Sequence, residues 1–187
     1  MMNSTDLIAL LPLLVIAFMA IVVMVAIAIH RSHTLTVAIT IVGFCASFGV
    51  LFAAAPLVPR QITELLTIDK SALFYMGLIF AASVAVVFLC YGYFKHRQER
   101  HPEEIYLLIA LAALGSGVLV SANHFAAFFL GLEILSVSLY GMVSYTRGKA
   151  GIEAGLKYLV LAAASASFLL FGMAIVYFEL GTLTFGG

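Results

Sequence analysis

Charge is what this chain has least of. Only 10% of its 187 residues are Asp, Glu, Lys or Arg, and nine acids balance nine bases to a formal net charge of zero. An ordinary soluble domain carries about 25% charged residues. With 64% hydrophobic residues, a soluble fold would have no way to hide its apolar surface. The zero net charge leaves no basic face for nucleic acid, which excludes that class of partner. Cysteine is also scarce: Cys45 and Cys90 both lie inside apolar runs, where they pack as small hydrophobes rather than bridge, so they do not report a redox compartment. A phosphate loop, a dinucleotide fingerprint, a cysteine cluster for iron and sulfur, and a haem motif are all missing. The chain is therefore expected to hold no cofactor and no metal, and to have no redox chemistry of its own. The first apolar run lacks a positively charged leader and is longer than a signal-peptide core, so it reads as a retained first helix.

Long apolar runs are what the sequence has in abundance. Six of them cover roughly residues 7–29, 35–57, 72–94, 105–122, 125–145 and 154–178. A hydrocarbon core about 30 Å thick needs about 20 mostly apolar residues per spanning helix, and each run meets that need. Strands of a transmembrane barrel would be shorter and alternating. The expected fold is all-α, a polytopic membrane protein built as a bundle of about six transmembrane helices.

Six spans sort the connections onto two sides. One side holds Arg31, Lys95, Arg97, Arg100, Arg147 and Lys149; the other holds only Arg60 and Lys70. By the positive-inside rule the first side is cytoplasmic, which puts the N-terminus and Gly187 outside. Tyr91, Tyr93, Tyr106, Tyr145 and Tyr158 fall near the helix ends on the basic side and read as an interfacial aromatic belt, while Asp6 and Glu179 lie toward the opposite face. The polar stretch KHRQERHPEE at residues 95–104 is the best internal boundary, dividing residues 1–101, with three leading helices, from residues 102–187, with helices four to six. The second half is richer in Gly, Ala and Ser, which lets helix backbones approach closely.

Glu133 differs from every other charge in the sequence. It lies nine residues after His124 and twelve before Tyr145, about 13 and 18 Å along a helix, close to the bilayer midplane. A carboxylate at that depth is costly unless it takes a proton or meets a cation, and marks a functional candidate. A structural hydrogen bond or ion pair between helices is the bland alternative. Ser136, Tyr140 and Ser144 follow on the same helical face and form a supporting polar path toward the basic side. Their hydroxyls suit either a water chain or bonds to a neighbouring helix. Glu153 and Lys157 are spaced as a helical ion pair. Lys157 serves either as an anchor reaching the interface or as a proton-handling lysine. His124 reads as an interfacial residue, and His30, His33, His96 and His101 lie in or beside the basic loops, too scattered for a metal site.

The segments SANHFAAFFLGLEILSVSLYGMVSY and GIEAGLKYLVLAAASASFLLFGMAIVYFELGTL closely resemble the subunit N family of bacterial respiratory complex I, the proton-translocating NADH:quinone oxidoreductase. The likeness is strong over helices four to six and generic before them. It implies an antiporter-like membrane-arm subunit of the bacterial cytoplasmic (inner) membrane, with other membrane-arm subunits and the lipid bilayer as partners. NAD, FMN, iron-sulfur clusters and quinone would belong elsewhere in the complex. In that family a mid-helix glutamate pairs with a lysine of a broken seventh helix; Glu133 within GLEILS matches the glutamate, and Lys157 and Glu153 match residues at the start of helix six. The resemblance therefore assigns proton translocation to Glu133 and Lys157. Where the family commonly has Pro, this chain has Ser138. Family members continue through two inverted five-helix repeats, so the likeness covers the three leading helices and three helices of the first repeat. A subunit of a sodium/proton antiporter complex, or a purely structural membrane-arm component, are the competing readings.

Overall fold

The computed structural model describes residues 4–97, 101–145 and 148–185. Arg100, Arg147 and Gly187, which entered the loop assignment, lie outside the described residues. Among the described residues, six helices are long and apolar enough to cross a membrane: α1 (Ser4–Ile29), α2 (His33–Ala54), α3 (Lys70–Arg97), α4 (Glu104–Ser121), α5 (Phe125–Val143) and α6 (Lys149–Leu180). They match the six apolar runs. The helices overrun the runs where the flanks are polar, most at α6, whose first five residues include Lys149 and Glu153. Backbone bonds continue past the point where hydropathy falls.

Helices are the form an apolar chain takes in hydrocarbon, because each backbone polar group must find its partner within the segment. The few side-chain hydroxyls obey the same constraint. Thr40 donates to the Thr36 carbonyl at 2.8 Å, Ser47 to Gly43 at 2.9 Å, Ser121 to Gly117 at 2.9 Å and Ser138 to Ile134 at 2.7 Å. Each satisfies itself one turn back on its own helix.

Helices α1 to α4 form the core. α1 lies along α2 and α4, and α3 closes the group by packing on α2 and α4. Ile16, Val23, Phe44, Phe80 and Val87 fill the core with almost no exposed surface, and Tyr106 is as fully buried near one end. α5 packs chiefly on α4, and α6 rests mainly on α5, burying little beyond Gly155 and Met173. The α4–α5 contact is close because Gly115 faces Gly131: a Cβ on Gly115 would stand 2.8 Å from the Gly131 carbonyl oxygen, and one on Gly131 would stand 2.9 Å from that of Gly115.

The connections gather at two ends, as the loop assignment requires. At one end, a small antiparallel hairpin of β1 (Arg60–Gln61) and β2 (Thr67–Ile68) meets the α4–α5 connection, where the Asn123 amide donates to the Leu65 carbonyl at 2.9 Å. Residues 183–185 join the same end, with the Phe125 amide donating to the Leu183 carbonyl at 2.9 Å, and Arg60 pairs with Asp6 at the start of α1. This hairpin is an addition to the expected all-helical fold. At the other end Arg31 pairs with Glu104 at 3.5 Å.

Candidate functional site

The site is built on α5. His124 caps its N-terminus: its Nδ1 accepts from the Ala126 amide at 3.0 Å, satisfying one of the free donors of the first turn. That role accounts for His124, which the sequence predicts only to lie at the interface. At the far end the Ser144 hydroxyl donates to the Tyr140 and Gly141 carbonyls at 2.9 and 3.2 Å.

Glu133 lies eight residues after Phe125 and ten before Val143, about 12 and 15 Å from the two helix ends. It is half-buried, two residues beyond the close Gly131–Gly115 contact between α5 and α4. Among the described residues it forms no ion pair and no hydrogen bond.

The companion residues are only partly assembled around it. Ser136 and Tyr140 are half-buried along α5, and the Tyr140 ring stands edge-on to Tyr158 of α6, centroids 6.4 Å apart. Ser144 spends its donor on the backbone, which leaves its oxygen free only to accept. Lys157 is not brought to Glu133. Its Nζ bonds Glu153 Oε1 at 2.6 Å, with the two side chains 71% and 66% exposed on α6. Of the two cysteines, Cys45 is exposed and Cys90 half-buried, and both are free. Among the described residues, no group of three His, Cys, Asp or Glu side chains converges as a metal site.

The basic-loop end corrects the aromatic-belt reading. Tyr93 is exposed, as a belt residue is, but Tyr106 has no exposed surface, and its hydroxyl lies 2.7 Å from His33 Nε2. The Tyr145 hydroxyl bonds the His101 carbonyl. His33, read from the sequence as a scattered loop histidine, starts α2 with its ring between Tyr91 and Tyr106, at centroid distances of 5.0 and 5.6 Å. Glu103, just before α4, is only 7% exposed, and its Oε2 has no hydrogen-bond partner. The sequence signal for this cluster was the spacing of Glu103 and Tyr106, one helical turn apart after Pro102.

Comparison with known proteins gives concordant results. The model of a family described as NADH:quinone oxidoreductase/Mrp antiporter, TM matches residues 122–187. NADH-quinone oxidoreductase subunit N of Ectopseudomonas mendocina is 48% identical over 98% of the chain, and that of Methylococcus capsulatus is 44% identical over 98%. The chain spans 38% and 37% of the length of these two relatives. Among solved structures, a chain of respiratory complex I from Thermus thermophilus with bound aureothin superposes with a TM-score of 0.81 at 26% identity, covering 94% of this chain and 38% of that one. A chain of the archaeal membrane-bound sulfane sulfur reductase shares the fold, with a TM-score of 0.76 at 24% identity over 96% of this chain and 38% of that one.

Proposed function

Over its length the chain belongs to the N-terminal part of the NADH-quinone oxidoreductase subunit N family, and from that premise we infer that it contributes a proton-handling carboxylate to the membrane arm of a proton-translocating NADH:quinone oxidoreductase. In this reading Glu133 alternates between a protonated state and a carboxylate stabilised by a cation. Oxidation of NADH and reduction of quinone take place on other subunits, which hold the nicotinamide, flavin, iron-sulfur and quinone sites. Other membrane-arm subunits are its neighbours. The membrane is the bacterial cytoplasmic membrane, with the basic loops inside and the N-terminus outside, in accordance with the six-to-two bias of Lys and Arg. Residues 1–101 act as the leading scaffold and residues 102–187 carry the proton chemistry.

The observation that carries this reading is a single one: a half-buried carboxylate near the middle of a spanning helix, next to a close glycine contact and unpaired among the described residues. An ionisable group in that position is expensive to keep and is a functional candidate by default. Ser136, Tyr140 and Ser144 supply acceptor and donor groups between Glu133 and the basic-loop end. Lys157 is the second proton-handling residue of this reading, with Glu153, its partner on α6, in support. The test is proton pumping by the assembled oxidoreductase with Glu133→Ala. Pumping falls while NADH oxidation and assembly are retained; unchanged pumping per NADH oxidised would overturn the assignment.

A structural role is the second reading, favoured by the placement of Lys157 on Glu153 rather than on Glu133. Under it, Glu133→Ala lowers the amount of assembled complex, not the pumping of what assembles. Antiporter subunits share the family description, and co-purification with a flavin and iron-sulfur arm separates the oxidoreductase from them.

A further inference from the structure

The basic-loop end holds a second group of titratable side chains that does not involve Glu133. Its members come from two different helical starts. His33 opens α2 and Glu103 and Tyr106 open α4, so their assembly is a product of the tertiary fold. The Tyr106 hydroxyl and His33 Nε2 are 2.7 Å apart in a region where Tyr106 has no exposed surface. Glu103 is 93% buried by its 7% exposure, and its Oε2 is the one buried side-chain oxygen or nitrogen among the described residues without a hydrogen-bond partner. Glu103 lies within electrostatic reach of both His33 and Tyr106. A buried, unpartnered carboxylate oxygen is costly to keep and demands a compensating proton or cation.

We propose that His33, Tyr106 and Glu103 form a proton-exchange site at the basic-loop end of the bundle, in which His33 takes one proton from the water on that side with the Glu103 carboxylate as its counter-ion. The chemistry follows from the groups present. In neutral His33 with a bare Nε2, the Tyr106 hydroxyl donates to the ring. When Nε2 gains a proton, the bond reverses: the imidazolium donates to the Tyr106 oxygen, and the hydroxyl hydrogen is released to seek another acceptor. Glu103 supplies the negative charge that the new cation needs. The proton leaves by the same route, so no other reactant is required.

The surrounding charges and titratable groups are compatible with this assignment. Arg31, from the α1–α2 connection, is engaged with Glu104 at 3.5 Å. From α3, Tyr91 stacks on His33, Lys95 Nζ sits 5.6 Å from the Tyr91 ring centroid, and Cys90 lies within reach of Tyr106. Tyr145, at the end of α5, also reaches Tyr106 and is anchored on the His101 carbonyl.

The test uses the full chain in lipid nanodiscs with nitrogen-15-labelled histidine, the His33 signals being assigned by their loss in H33Q. His33 should show a single titration step, with one midpoint, when the pH is scanned down from about 8. E103Q should lower that midpoint by at least about half a pH unit, because the counter-charge is gone. Y106F keeps the ring packing and removes the hydroxyl, so the tautomer signature of His33 should change; this arm stands even if E103Q does not fold. E133Q should leave the midpoint where it is, which separates this site from the function proposed for Glu133. A His33 that stays silent across the range, a midpoint unmoved by E103Q in a folded protein, or a tautomer signature unmoved by Y106F would each overturn the assignment.

Discussion

A glutamate at the centre of a spanning helix cannot escape to water by bending its side chain. Glu133 stands about 12 Å from the nearer end of α5, more than twice the reach of its own side chain, so its charge must be managed inside the bundle. Replacing it with Ala should therefore reduce proton pumping by the assembled complex severalfold. Asp, which keeps the carboxyl but shortens the reach, should retain part of the activity, measured as pH change per NADH oxidised. Lys157→Ala should have a milder effect, because Lys157 is paired with Glu153 on an exposed surface. Its removal strands no buried charge. Glu133 was legible in the sequence because depth follows from counting residues along one apolar run. The His33–Tyr106–Glu103 cluster was not, since it joins residues 73 positions apart, and counting along single helices assigned His33 to a loop and Tyr106 to the interface.

Elements meet in this bundle where side chains are smallest. Gly131→Ala would place a Cβ 2.9 Å from the Gly115 oxygen and 2.9 Å from the Leu119 amide nitrogen. Both are backbone atoms, which cannot rotate aside as a flexible side chain does. The cost should lie at the upper end of the roughly 1–3 kcal/mol seen for overpacking, with α4 and α5 pushed apart. Thermal unfolding in detergent would read it as a lowered Tm, and Gly115→Ala combined with Gly131→Ala should cost less than the sum, because both strain one contact. The spans themselves were readable from hydropathy, since twenty apolar residues in hydrocarbon leave the backbone no alternative to a helix. The β1–β2 hairpin was not readable: two-residue strands carry no periodicity, and the pairing is set by contacts with the α4–α5 connection. Nor was the position of α6, which depends on its contact with α5 rather than on its own composition.

At the scale of the whole molecule, orientation and transport are the properties to test. In a background lacking Cys45 and Cys90, a cysteine at Glu64, exposed in the hairpin turn, should react with an impermeant thiol reagent from outside intact cells. One at Lys149 should react only once the cytoplasmic face is opened, in line with the bias in basic loops; labelling of position 149 in intact cells would reverse the orientation. Transport needs more than orientation. A path across the bilayer requires protonatable groups handing a proton from one face to the other, and Glu133 is the one acidic or basic residue near the midplane of this sequence. The hydroxyl groups of Ser136, Tyr140 and Ser144 lead from it toward the basic-loop end, while the opposite half of α5 reads FAAFFLGL, with nothing to carry a proton. The exposed faces of α5 and α6 offer hydrocarbon there as well. This 187-residue polypeptide, reconstituted alone in liposomes, should therefore show no saturable, potential-driven proton flux. A pH-sensitive dye inside the vesicles measures this directly. Flux that appears with the unaltered chain and disappears with Glu133→Gln would mean that the apolar half admits water, and that the residues named here complete a path on their own.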